Sequence, residues 1–416
     1  MTDTRYDLVI AGAGLVGAAL ALQLAPVFAQ RGLRLALVEA GSEPARFQGQ
    51  SFDPRVVALT PGSRALLERL GLWRRIEAER VCAYREMHVW DGEASGRITF
   101  NADELGCEQL GHIVENSLLV RHLRQSLSYQ TSVDWFQPAA VTGLEMREET
   151  DDGEVRVELD SGAVLTTALL VAADGAHSRV REFAGFDVRE WAYEQKAIVT
   201  TVRTERAHGY CARQRFMQTG PLAFLPLHCQ QPEPLSGSIQ GWDSHYCSIV
   251  WSADSALADE LMALDEDAFC QRLGREFEYA LGEVTGTDQR HAIPLYQRHA
   301  RDYTRPGVAL VGDAAHSIHP LAGQGVNLGL KDTMALAEEV QRAMQRGLPL
   351  SDPSLLRRYQ RQRMGDNLGM MALMEGFKRL FGSRTPPLIW ARSAGLRRVD
   401  SLPLLKNTLA RKAMGV

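Results

Sequence analysis

The sequence has no Cys-x-x-Cys pair and no short cysteine spacing of the metal-binding kind; its six cysteines stand apart at 82, 107, 211, 229, 247 and 270. That excludes a zinc ribbon and a disulfide framework, leaves no metal site to expect, and reads as scattered reduced thiols of a cytosolic protein. No apolar run reaches the roughly 18 residues of a membrane-spanning helix. Positive charge is not in excess: 46 Lys and Arg face 51 Asp and Glu, a net charge of −5. Nucleic acid is therefore not an expected partner. The amino terminus passes from "MTDTRYD" straight into an apolar strand, without the charged and apolar regions of a signal peptide. Internal repeats and low-complexity tracts are also missing. What remains is an ordinary globular composition, 45% hydrophobic and 23% charged over 416 residues, enough for two or three domains.

Residues 6–40 read "YDLVIAGAGLVGAALALQLAPVFAQRGLRLALVEA". An apolar strand meets Gly12-x-Gly14-x-x-Gly17, then an Ala/Leu-rich helix, then a second strand ending in Glu39, 22 residues after the third glycine. A glycine triplet alone says little; between a strand and a helix, with an acid at that distance, it predicts a dinucleotide cradle. Gly12 makes the tight turn, Gly14 lets a pyrophosphate approach the backbone, and Gly17 lets helix and strand pack closely. The helix N-terminus offers free N–H groups to the phosphates, and Glu39 can accept hydrogen bonds from ribose hydroxyls. Pro26 should stop or kink the helix, with an irregular turn over 27–31. Nicotinamide and flavin cofactors both carry ADP, so this unit alone does not choose between them.

Two later segments choose flavin. "LLVAADGAHSRVR" (169–181) ends a buried strand at Asp174-Gly175, and "VALVGD" (308–313) repeats the design at Gly312-Asp313. An acid at a strand end suits a chain of hydroxyls, which the ribityl group of a flavin supplies and a nicotinamide cofactor lacks. Beyond Asp313, "AAHSIHPLAGQGVNLGLKD" cannot stay helical at His319, because Pro320 follows it. Gly323 and Gly325 permit positive φ and close approach to a flat ring. From Val326 the apolar spacing is helical, so a helix N-terminus would face the negative N1/O2 edge of a reduced flavin. His316 is read as a structural histidine.

The set Gly12-x-Gly14-x-x-Gly17, Asp174-Gly175 and Gly312-Asp313 resembles the flavoprotein aromatic hydroxylases of the p-hydroxybenzoate hydroxylase type. "HPLAGQGVNLGLKD" (319–332) is similar to the signature of the ubiquinone-biosynthesis hydroxylases, and "DPRVVALTPGSRALLERLGLW" (53–73), "LGHIVENSLL" (110–119) and "LAFLPL" (222–227) fit the same family. The segment "DSLPLLKNTLARKAMGV" (400–416) resembles the branch that hydroxylates 2-polyprenylphenol. The resemblance implies FAD as cofactor and NAD(P)H as a transient reductant without a domain of its own. It further implies O2 and a polyprenylated phenol as substrates, with other ubiquinone-biosynthesis proteins as partners. By residue, it implies ribityl binding by Asp313, flavin support by Asp174, and cofactor contacts by Arg55 and Arg121. Val326 and Asn327 fall at the pyrimidine edge, Pro320 beside the reacting face, and His319 is a weak acid–base candidate. Hydroxylation at another ring position, a flavin oxidoreductase without oxygenation, and a non-catalytic flavin-bound subunit remain open.

The expected fold is α/β: a discontinuous Rossmann-like FAD-binding domain (1–76, 107–185, 290–350), an antiparallel β-sheet substrate domain (77–106, 186–289) and a C-terminal helical region (351–416). Strand-like segments at 196–205, 222–227 and 246–253 would form the sheet, with Phe224, Leu225, Pro226 and Trp251 as candidate pocket walls. From Phe377 onward the sequence carries nine Lys or Arg (378, 379, 384, 392, 397, 398, 406, 411, 412) against one acid, Asp400. Interleaved with Leu380, Phe381, Leu388, Ile389 and Trp390, this segment suits either packing on its own domain or peripheral contact with an anionic inner membrane.

Overall fold

The computed structural model describes residues 3–146, 154–230, 242–318, 323–383 and 385–414. The chain forms two compact units, each built from three segments. The first comprises Met1–Pro44, Leu118–Trp191 and Tyr296–Ala372; the second comprises Ala45–Ser117, Ala192–Leu295 and Leu373–Val416.

The first unit is organised on an eight-stranded sheet. Its centre runs Val308–Leu310, Val164–Ala172, Asp3–Ala11, Leu35–Val38 and Val133–Phe136, every neighbouring pair parallel. Strands buried on both faces need continuous apolar runs rather than alternation. Leu8-Val9-Ile10 and Leu169-Leu170-Val171 are such runs, all wholly buried. Registers such as Ile10 beside both Val171 and Leu37 bring the strands to a common carboxyl edge. The helix Leu15–Arg31 follows the first strand, and a long helix, Gln324–Gln345, packs against it.

Pro26 does not end the first helix, contrary to expectation: the helix continues to Arg31 and stops at Gly32 in left-handed geometry (φ 67°). Pro26 lies on the exposed side, where its ring displaces only solvent. Burial of Leu24, Ala25 and Phe28 around it offsets the missing backbone bond, a cost of about 3 kcal/mol.

The second unit carries most of a nine-stranded sheet. Gly220–Pro226, Tyr246–Asp254 and Val188–Thr204 are consecutive antiparallel neighbours, as their alternating sequences suggest. One pair, Glu86–Asp91 with Cys211–Met217, is parallel. The helices Ser255–Ala263 and Glu266–Glu276 close one face over a core that includes Leu222, Phe224, Trp251, Phe269 and Phe277. Three further strands, Val56–Leu59, Gly111–Glu115 and Cys82–Tyr84, form a small antiparallel sheet. Because they pair with one another, residues 45–76 and 107–117 cluster with this unit, not with the first as expected. The helices Pro386–Asp400 and Pro403–Met414 belong here too. Ala410 and Met414 pack on Ala102 and Leu105, so the C-terminal region splits rather than forming a separate layer. Among the described residues, no helix is long and apolar enough to cross a membrane.

Candidate active site

Parallel strands end on the same side, and the crevice beyond their carboxyl ends is where open α/β sheets take ligands. In the first unit four such ends converge. Gly12 N–H donates to Val38 O at 2.7 Å, Ala173 N–H to Ala11 O at 2.7 Å, and Val311 N–H to Ala172 O at 3.0 Å. The glycine loop, Glu39, Asp174 and the Gly312–Asp313 turn, separated by as many as 301 positions in sequence, therefore share one edge.

The three glycines of the loop have three different environments. Gly12 has φ 98°, and a Cβ there would lie 2.3 Å from Ala173 O; a Cβ on Gly17 would lie 1.9 Å from Gly12 O. These two are required by packing. Apart from its chain neighbours, a Cβ on Gly14 would meet no protein atom within 4 Å, so the space before the helix Leu15–Arg31 is open. No side chain caps that helix, which leaves its first N–H groups available to an anion.

Glu39 is braced by protein donors. Its Oε2 accepts Ala13 N–H at 2.6 Å, and its Oε1 accepts Gly41 N–H at 2.7 Å. Arg124 completes the brace: Nη2 lies 3.0 Å from Glu39 Oε2, Nε donates to Ala13 O at 2.9 Å and Nη1 to Ser42 O at 3.2 Å. Oε2 thus holds two donors and Oε1 one, so lone-pair capacity for a sugar hydroxyl remains on Oε1. The expected arginine, Arg121, lies one turn earlier on the helix Asn116–Leu127 and is partly buried. Sequence reading missed Arg124, whose role depends on how that helix is rotated against the glycine loop.

Asp174 Oδ2 accepts Val180 N–H at 3.2 Å, while Oδ1 is buried without a hydrogen-bond partner among the described residues. Burial pushes its carboxyl up, against the pull of the Ser178 hydroxyl and the Val180 N–H. A buried acceptor without a donor is costly, and a ligand hydroxyl would relieve it. Gly312 has φ 58°, and the turn after it exposes Asp313. Gly323 (φ 61°) caps the helix Gln324–Gln345, which begins two residues earlier than its apolar spacing suggests. Gly325 and Val326 are partly exposed at its first turn; Asn327 is buried and donates Nδ2–H to Gly323 O at 3.2 Å. The open space at Gly14, the orphaned Asp174 oxygen and the exposed Asp313 carboxylate fit the pyrophosphate and polyol of FAD.

The remaining candidates divide. Arg55 belongs to the second unit; its side chain is exposed, and its backbone is held by Asp53 Oδ1 (2.8 Å) and Asn116 N–H (2.9 Å). Phe224 and Trp251 are corrected: both point into the core under the two helices, with Phe224 stacked on Phe277 at 3.7 Å between centroids. Strand alternation puts Pro226 on that same side and turns Leu225 to the opposite face, against Phe52, Leu227 and Tyr246. His319 and Pro320 lie outside the described residues.

Residues 5–366 match the family described as FAD binding domain. The chain belongs to this family. A 3-demethoxyubiquinol 3-hydroxylase of Escherichia coli is 36% identical over 417 residues, covering 100% of both chains. The ubiquinone biosynthesis monooxygenase COQ6 of Xenopus tropicalis is 33% identical, covering 97% of this chain and 92% of its own. Among solved structures, Pseudomonas aeruginosa PqsL in complex with 2-aminobenzoylacetate superimposes with a TM-score of 0.76 at 25% identity, covering 95% of this chain and 100% of its own. The protein is thus an FAD-dependent monooxygenase of the ubiquinone-biosynthesis hydroxylase family. The α/β architecture expected from its motifs is the one observed.

Proposed function

We propose that this monooxygenase hydroxylates a polyprenylated phenol in ubiquinone biosynthesis, with NAD(P)H as reductant, at the ring position called C5 in the quinone. A ring C–H becomes C–OH, the second oxygen atom of O2 leaves as water, and NAD(P)H supplies the two electrons. FAD supplies the electron transfer and oxygen activation. The chain's own residues bind and orient it. The N–H groups after Gly14 would take the pyrophosphate, and Glu39, braced by Arg124, would take the ribose. Asp313 would bind the ribityl chain, and the first turn of Gln324–Gln345 would hold the pyrimidine end. The single observation that carries this reading is the convergence of these motifs on one edge of a parallel sheet.

The C5 position rests on the resemblance of residues 400–416 to the 2-polyprenylphenol branch. A second reading, hydroxylation of a 3-demethoxyubiquinol, is favoured by the end-to-end similarity to the Escherichia coli enzyme of that name. The helix Pro386–Asp400 presents Trp390 (72% exposed) and Leu388 (42%) to solvent, with Arg397 and Arg398 exposed further along. An aromatic beside cations suits the surface of an anionic membrane, where a polyprenyl substrate resides.

Purified holoenzyme should therefore be given NAD(P)H, O2 and either a 2-polyprenylphenol or a demethoxyubiquinol, in anionic vesicles or in detergent. The expected result is a hydroxylated 2-polyprenylphenol. Turnover of the demethoxyubiquinol alone would establish the second reading, and turnover of neither would reject both. Trp390→Ala should slow the reaction in vesicles and leave it unchanged in detergent. Equal rates in both media would remove the membrane from the proposal.

A further inference from the structure

We propose that Asp332 is a positioning residue for the flavin, fixing the register between the Gly312–Asp313 turn and the helix Gln324–Gln345. The inference rests on the assignment of the isoalloxazine to that turn and helix, and adds what holds the two together. Asp332 lies in the third turn of the helix and is fully buried. A carboxylate there is costly unless it is paired and hydrogen-bonded.

Four donors surround it. Oδ2 takes Gly312 N–H at 3.0 Å and His316 Nε2 at 2.6 Å. Oδ1 takes Arg363 Nε at 2.8 Å and Asn367 Nδ2 at 3.3 Å. Arg363 is itself held by Asn367 Oδ1 at 2.9 Å and Asp366 Oδ2 at 2.8 Å. Asn367 also reaches the Tyr303 hydroxyl at 3.3 Å, which lies 3.1 Å from His299 Nε2. Burial alone would raise the Asp332 carboxyl, but His316 and Arg363 outweigh it and hold the group below the usual carboxylate range.

One oxygen of this carboxylate thus binds the strand-end loop twice, immediately before Asp313 and three residues after it. The other oxygen is tied to the helix Pro353–Gly382. The packing around it leaves no slack: a Cβ on Gly329 would lie 2.8 Å from Val16 Cγ2 and 3.3 Å from Gly312 Cα. The helix Leu15–Arg31, the Gly312 turn and the helix Gln324–Gln345 therefore meet at Gly329, one turn before Asp332. An apolar core would join these elements at lower desolvation cost. A directional carboxylate instead fixes where the turn sits along the helix, and with it the spacing between Asp313 and the helix N-terminus.

Asp332→Asn keeps the shape but turns an NH2 toward donors on one side or the other. Its folding should be checked by circular dichroism, and the apoprotein titrated with FAD by fluorescence. The dissociation constant should rise about tenfold or more, one charge-assisted hydrogen-bond site being lost. The FAD-saturated variant should show a more negative midpoint potential, because the reduced ring loses donors at its N1/O2 edge. A merely structural role predicts the behaviour of Phe28→Ala, a core truncation on the glycine-loop helix: lower thermal stability and an unmoved potential. If Asp332→Asn does not fold, His316→Gln replaces it, with smaller shifts in the same directions. Wild-type affinity and potential in the folded variant would overturn the inference while leaving the FAD site standing. A wild-type chain that binds no FAD would overturn the site itself.

Discussion

Gly14→Val should leave an apoprotein nearly as stable as the parent and unable to retain FAD. The backbone at Gly14 is ordinary and extended, φ −67° and ψ −172°, so a branched residue is permitted there. A Cβ would meet no protein atom within 4 Å beyond its chain neighbours. The intrinsic cost is the loss of a favoured helix N-cap residue, about 1 kcal/mol or less. The space it fills is the space a pyrophosphate needs. Losing one or two charge-assisted hydrogen bonds, at about 1.5–3 kcal/mol each, weakens binding by about one to four orders of magnitude. Equilibrium dialysis with FAD and urea unfolding of the apoprotein measure the two halves. Gly12→Ala is less informative, because its Cβ would sit 2.3 Å from Ala173 O at a positive φ, damaging the fold before any ligand arrives. Undiminished FAD binding by Gly14→Val would place the cofactor elsewhere.

Asp91→Ala should be among the most destabilising single substitutions in the second unit. Asp91 and Arg392 form a bidentate pair, Nε to Oδ2 at 2.7 Å and Nη2 to Oδ1 at 2.9 Å, with both side chains essentially inaccessible. The same guanidinium donates Nη1 to the carbonyls of Leu380, Phe381 and Ser383. It thereby joins the end of one helix and the next helix to the strand Glu86–Asp91. Removing the carboxylate leaves a buried guanidinium without its counter-charge, worth about 3–5 kcal/mol. Replacing both partners at once, Asp91→Leu with Arg392→Met, should recover part of that loss, because no charge is then stranded. Urea unfolding of the two variants checks both statements; a loss near zero for Asp91→Ala would mean that the pair is open to water in solution.

The parts of the site legible in the sequence are those in which chemistry is local. Gly12, Gly14 and Gly17 lie within six residues of one another between a strand and a helix, and Asp174 and Asp313 each close an apolar strand. What could not be read depends on orientation or on distant pairing. Arg121 and Arg124 lie three apart on one helix, and only packing decides that Arg124 braces Glu39. Phe224 and Leu225 are adjacent, and strand register decides which enters the core. The Asp332 cluster draws on His299, Tyr303, His316, Arg363 and Asn367, no two of which announce a motif together. Residues 45–76 cluster with the second unit because their strand and Gly111–Glu115 share a sheet with Cys82–Tyr84, a long-range pairing with no local signal. At Pro26 local propensity gives way to burial of the surrounding helix face.

The measurement that bears most directly on the central claim is oxygen tracing: holoenzyme, NAD(P)H and a short-chain polyprenylphenol under 18O2, with the product examined by mass spectrometry. Incorporation of one 18O atom into a new ring hydroxyl, dependent on bound FAD and abolished in Gly14→Val, is the predicted result. NAD(P)H oxidation that places no 18O in any phenol, with all the oxygen recovered as peroxide or water, would contradict the account.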